Sequence, residues 1–222
     1  MGDPRTAAAL RRQHNAETDE FPGQLLDLLG LLGDQRSNNG VFTHVRATPA
    51  PESYPPVVLL GSGDYSAELA GRLGLAFGFA NHFNTGNNSI AHDVYRRHFV
   101  PSAALEEPYL IVTTIAVASD SAQHSLEMLG AHHLRKHGTR IGTDIGLLTA
   151  EDAHDHPHCG VAQEGGENSI VGTGDEVARG RVALAGRTGA DELMITAPAS
   201  EQAHKLRSIE LTAAAWGLAG PG

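Results

Sequence analysis

Four short apolar runs punctuate the chain from residue 57 onward, separated by stretches whose apolar residues recur every three or four positions. Val57-Val58-Leu59-Leu60 is closed by Gly61 and reads as a strand buried on both faces. Residues 75–83 (LAFGFANHF) form a second run, and 109–118 (YLIVTTIAVA) a third, the richest in β-branched residues. Residues 192–196 (ELMIT) form the fourth. Between them the spacing predicts helices over 66–73, stopped by Gly74, over 89–99, with Pro101 beyond the end, and from a cap at Asp120 or Ser121 to His137. Further helices are expected over 174–187 and 200–217. Residues 4–33 read as two helical stretches. Ala7, Ala8, Ala9 and Leu10 favour the first; Asp19 would cap the second, which has Pro22 in its first turn and Leu25, Leu26, Leu28, Leu29 and Leu32 on one face. Residues 34–56 and 138–168 read as irregular loops, the former with room for a short strand at 41–45.

Strands alternating with helices imply parallel βαβ units rather than a sandwich or a bundle. The pattern does not choose between an open sheet and a closed barrel. An eight-fold barrel typically needs about 250 residues, and four strands make half of one, or a small open sheet.

Composition narrows the partners. The chain has 222 residues, 41% hydrophobic, enough for a buried core in a single domain spanning 1–222. Its formal net charge is −10 and it lacks a long Lys/Arg run, which argues against nucleic acid as a partner. No apolar stretch reaches the roughly 18–20 residues that span a bilayer, so no membrane association is expected. The first 21 residues lack the apolar core of a secretory signal. The one cysteine, Cys159, excludes an internal disulfide framework and fits a reducing, cytoplasmic compartment.

Three places carry candidate chemistry. Gly61-Ser62-Gly63-Asp64-Tyr65-Ser66 follows a strand and opens a helix, where glycines let backbone approach a ligand and free N–H groups and serine hydroxyls suit a phosphate. Asp64 works against that, and a capped turn that binds nothing has the same local pattern. A dinucleotide fingerprint is incomplete, because Ser66 stands where the third glycine belongs and no acid ends the next strand. His82, in Asn81-His82-Phe83 at the end of the second run, suits hydrogen bonding to a ligand or a proton shuttle, and equally a packed rim position. His154-Asp155-His156-Pro157-His158-Cys159 has metal-ligand residue types but no spaced second half, so it reads as a solvated loop with no metal assigned. His133 and His137 share a helix face without the glutamate of a zinc-protease helix and read as surface histidines. Trp216, Leu211 and Leu218 are expected against the sheet.

Residues 55–83 (PPVVLLGSGDYSAELAGRLGLAFGFANHF) resemble a segment of the bacterial luciferase-like, flavin-dependent monooxygenases. So do residues 186–218, as that family's last strand and C-terminal helix, and 171–184 (VGTGDEVARGRVAL), as the helix before that strand. The resemblance runs in order over nearly the whole chain. It implies a (β/α)₈ barrel, of which this sequence would hold about strands 5–8 with their helices, the N-terminal strands lying before Met1. It implies FMN as cofactor, with Gly61, Ser62, Gly63, Tyr65, Ser66 and Ala80 around it and His82 in the catalytic role. It also implies reduced FMN and O₂ acting on a small organic substrate, a flavin reductase as partner, and a homo-oligomer. The alternative is a truncated half-barrel that binds flavin or oligomerises without turnover, since open strand edges favour association.

Overall fold

The computed structural model describes residues 20–34, 48–49, 53–83, 90–160 and 168–218. The expected first helix, residues 35–47 with the short strand, and Asp19 lie outside them. The chain divides into two compact units, Met1–Pro56 and Val57–Gly222. In the first, α1 (Phe21–Leu31) starts with Pro22 in its opening turn and buries Leu25 and Leu29, one turn apart. Its N-cap is Glu20, whose side chain makes no capping hydrogen bond.

The second unit contains a five-stranded parallel sheet: β1 (Val58–Gly61), β2 (Ala76–Phe79), β3 (Leu110–Ala118), β4 (Ser169–Gly172) and β5 (Glu192–Thr196). Its helices are α2 (Asp64–Arg72), α3 (Ala91–His98), α4 (Ala122–Ile141), α5 (Ala150–His154), α6 (Gly174–Thr188) and α7 (Gln202–Ala215), with a 3₁₀ turn at Asn81–Phe83. The four expected strands are all present. The fifth, β4, falls between the expected loop at 138–168 and the expected helix over 174–187, and α5 interrupts the 138–168 segment expected to be irregular. No described helix is long and apolar enough to cross a membrane.

The register fixes the strand order. Val112 pairs with both Phe79 and Leu193, and Ile115 with both Ser169 and Thr196. A strand residue has two flanks, so β5 occupies one side of β3 while β2 and β4 follow one another along the other. Thr114 Oγ1 and Asn81 Nδ2 both donate to the Asn168 carbonyl, at 3.0 and 3.4 Å, fastening the start of β4 at that junction.

The two faces of the sheet are unequally covered. On one, Phe77 stacks near Phe79 and Tyr95, and Ala116 and Ala118 pack with Val177 and Leu211, so α2, α3, α6 and α7 all lie there. Each fully buried Phe or Leu on this face contributes about 1.5–3 kcal/mol. On the other, α4 covers the far half of β3, with Met128 and Leu129 against Ile115 and Val117. Val58 and Leu60 of β1 and Met194 of β5 stay exposed. Leu211 packs under the sheet as expected. Trp216 does not: its ring lies against the Arg181 guanidinium, and Leu218 is exposed.

Candidate functional site

β1 ends at Gly61, and α2 begins at Asp64 with Gly63 as an extended N-cap (φ −136°, ψ 175°). The helix thus starts two residues before the position its apolar spacing suggests. A carboxylate in the first turn favours that start, because it faces the positive end of the helix dipole. Ser66 consequently stands in the first turn, whose amides have no intrahelical acceptor. A Cβ on Gly61 would lie 2.5 Å from Ser66 Oγ, so only glycine lets the serine fold back over the strand end. A Cβ on Gly63 would meet nothing within 4 Å, leaving that backbone open to a ligand. Ser62, Gly63 and Tyr65 are exposed, and Ser66 is half-buried. These amides and two hydroxyls form a donor set that fits a phosphate; the Asp64 carboxylate is the one opposing charge within the turn. Ala80 contributes differently from its neighbours. It is buried, and its N–H is committed to the Gly61 carbonyl at 2.8 Å, so it ties the ends of β1 and β2 together and has no amide to spare.

His82 follows directly, in the 3₁₀ turn beyond β2. Its Nδ1 lies 2.8 Å from Thr113 Oγ1, and that hydroxyl is 3.2 Å from the Phe79 carbonyl. The His82 and Phe83 rings are 4.2 Å apart, and Lys136 Nζ stands 5.9 Å from the Phe83 ring centre. Burial pulls the His82 pKa below the ordinary histidine value; hydrogen bonding to Thr113 partly offsets this, and the Lys136 charge adds to the lowering. One turn earlier on α4, His132 is lowered to about 4, chiefly by burial and then by Lys136. Lys136 is itself lowered by burial and by Arg140. The structure therefore surrounds His82 with Thr113, His132 and Lys136. Sequence reading found none of these three. Thr113 sits within an unbroken strand run, and the basic stretch His132–His133–Arg135–Lys136 looks like an ordinary solvated helix face.

Other histidines gather elsewhere. The His158 ring is 5.4 Å from His137 and 5.6 Å from His156, and Cys159 is exposed. Among the described residues no group of three or more His, Cys, Asp or Glu is placed to hold a metal ion. His133 lines a cavity of about 450 Å³ between α4, α5 and β4, together with His154 and Cys159. Beyond the ends of β3 and β5, His124 and His204 meet edge to face at 4.9 Å beside a smaller cavity, where Arg207 clamps Asp120.

No protein-family profile matches the chain. Individual relatives do. It is 35% identical over 218 residues to the uncharacterised protein YvbT of Bacillus subtilis, an alignment taking 96% of this chain and 64% of the relative. It is 34% identical over 213 residues to a luciferase-like monooxygenase of Escherichia coli, taking 94% of this chain and 62% of that protein. The crystal structure of apo-MsnO8 superposes with a TM-score of 0.82 at 27% identity, over 99% of this chain and 66% of that one. The chain spans just under two thirds of the length of each. Over that shared length, in sequence and in fold, it is similar to the luciferase-like monooxygenases.

Proposed function

We propose that the chain binds FMN and works as a flavin-dependent monooxygenase of the luciferase-like class, with reduced FMN and O₂ as co-substrates and a small organic molecule as substrate. The observation that carries this reading is the turn from Gly61 to Ser66, which opens α2 at the C-terminal end of β1 and is joined through Ala80 to the strand that presents His82. Sites in sheets of this kind form at the carboxyl ends of the strands. When bound, reduced flavin supplies the electrons and the reaction with oxygen, chemistry that side chains do not supply.

The chain's own residues bind, orient and handle protons. First-turn amides of α2 and the hydroxyls of Ser62 and Ser66 hold the phosphate, and Gly61 and Gly63 admit it. Tyr65 covers the turn. His82, neutral at pH 7, accepts or returns a proton at the end of β2. Reduced flavin from a separate reductase, a reducing cytoplasmic location and assembly into a homo-oligomer complete the proposal.

The test is a flavin-fluorescence titration of the purified chain with FMN, beside a Ser62→Ala/Ser66→Ala double variant. Two lost hydrogen bonds to a charged group weaken binding by about tenfold or more. A folded chain that does not bind FMN overturns the reading. A second reading, flavin binding without turnover, is favoured by the exposure of Val58, Leu60 and Met194 on the sheet face opposite the outer helices, where a working site needs walls. Oxygen consumption with reduced FMN separates the two: turnover supports the first, and binding without turnover the second.

A further inference from the structure

We infer that Thr113 is the positioning residue for His82: its hydroxyl fixes the imidazole as the Nδ1–H tautomer and leaves Nε2 as the ring's one acceptor, so the ligand group received there is an N–H or O–H donor rather than an anion. The use made of this acceptor rests on the placement of His82 in the site proposed above; the tautomer itself does not.

A threonine hydroxyl has one proton to donate and lone pairs to accept with. The Phe79 carbonyl, 3.2 Å from Thr113 Oγ1, can only accept, so the arrangement that satisfies it and the imidazole together sends the hydroxyl proton there. His82 Nδ1, 2.8 Å from the same oxygen, must then be the donor. In a neutral imidazole the other nitrogen carries no proton. Neither end of this relay can easily rearrange. Thr113 lies inside β3, paired in register with Met194 and 9% exposed, and Phe79 is the last residue of β2. The ring's neutrality follows from its surroundings: it is half-buried, and the groups of α4 that face it, His132 and Lys136, bring no negative charge. Among the described residues no hydrogen-bond partner is found for Nε2, and the His82 ring lies 4.2 Å from the Phe83 ring. A lone pair on a neutral ring attracts a donor and repels a carboxylate or phosphate. In the site proposed above, the Gly61–Ser66 turn takes the anionic group and His82 takes a donor.

The experiment is ¹⁵N–¹H correlation of the histidine side chains in the flavin-free chain at pH 7.5, with His82 assigned from a His82→Gln spectrum. The expected wild-type pattern has a protonated, pyrrole-type Nδ1 and a pyridine-type Nε2. Thr113→Ser keeps the hydroxyl and keeps the pattern. Thr113→Val removes the acceptor, and the two nitrogen signatures exchange or average; Thr113→Ala replaces it if the valine variant fails to fold. A wild-type ring protonated at Nε2 overturns the inference. So does a pattern unmoved in the variant that lacks the hydroxyl. Because no flavin is present, failure of FMN to bind leaves this result standing, and tight FMN binding does not rescue the wrong tautomer.

Discussion

Arg96 of α3 places Nη1 2.7 Å from the carbonyl oxygen of Thr188, the last residue of α6, and Nη2 bonds to the Gly189 carbonyl. Helix ends leave carbonyls without intrahelical donors, and a cation there also meets the negative end of the dipole. Gly189 adopts φ +62°, which turns the chain out of α6 towards β5. One guanidinium thus fixes where the last helix-to-strand connection begins. Arg96→Ala is expected to lower the unfolding free energy by about 1.5–3 kcal/mol, the range for hydrogen bonds to a charged group. Arg96→Lys should restore less than half, because a point ammonium does not bridge two carbonyls as a planar fork does. Urea unfolding of the three proteins checks both.

Tyr95 makes a comparable link inside the core. Its hydroxyl donates to the Leu75 carbonyl at 2.9 Å and accepts from the Tyr109 N–H at 3.0 Å, spanning the entries to β2 and β3. Tyr95→Phe leaves the amide and the carbonyl without that partner, at a cost of about 1–3 kcal/mol. Hydrogen exchange at the Tyr109 amide should speed up as global stability falls. Unchanged exchange would show that the hydroxyl is not that amide's acceptor.

Gly74 ends α2 with φ +55°, and a Cβ there would lie 2.7 Å from Ser102 Cβ as well as against the Val100 carbonyl. Left-handed backbone and contact with main chain act together, and main chain cannot swing aside. Gly74→Ala is therefore expected to destabilise by more than about 1 kcal/mol, whereas Gly186→Ala, with nothing within 4 Å and an ordinary helical position, should be neutral or stabilising. Thermal unfolding of the pair distinguishes the two cases.

Gly74 also shows what the sequence makes legible. It stands directly after an apolar helical repeat, so the stop was readable, as were β1, β2, β3 and β5 from their continuous apolar runs. β4 escaped because it is only four residues long, starts on a polar serine and depends on pairing with the far end of β3. The start of α2 was misplaced because its first turn, Asp64-Tyr65, carries no apolar period; capping and dipole chemistry set it instead. The Gly61–Ser66 turn and His82 stand out in the sequence because their residue types follow strand ends. Thr113, His132 and Lys136 were not, since they reach the site by a tertiary crossing of β3 and α4 that no local pattern encodes.

His132 supplies the pH dependence. Its pKa in the folded chain is about 4, against the ordinary 6.5, because burial and the nearby Lys136, His133 and Arg135 all disfavour the cation. Unfolded, the same ring takes up a proton as pH falls below 6.5. Between pH 6.5 and about 4 the unfolded state therefore binds more protons, and stability falls as pH falls through that window. Above it the group contributes no slope, and below it the loss is complete. His82, lowered for similar reasons, acts in the same direction. Because the His132 ring is only partly buried, solvent screens the effect, leaving on the order of 1–2 kcal/mol. Carboxylates titrate in the lower half of the same range, so the wild-type curve alone does not isolate the histidine. The difference between wild type and His132→Gln does. Urea midpoints measured at pH 7.5, 6.0, 5.0 and 4.2 should show the wild type losing ground to the variant steadily as pH falls. Parallel curves would mean that His132 titrates alike folded and unfolded, and that α4 does not bury it beside Lys136.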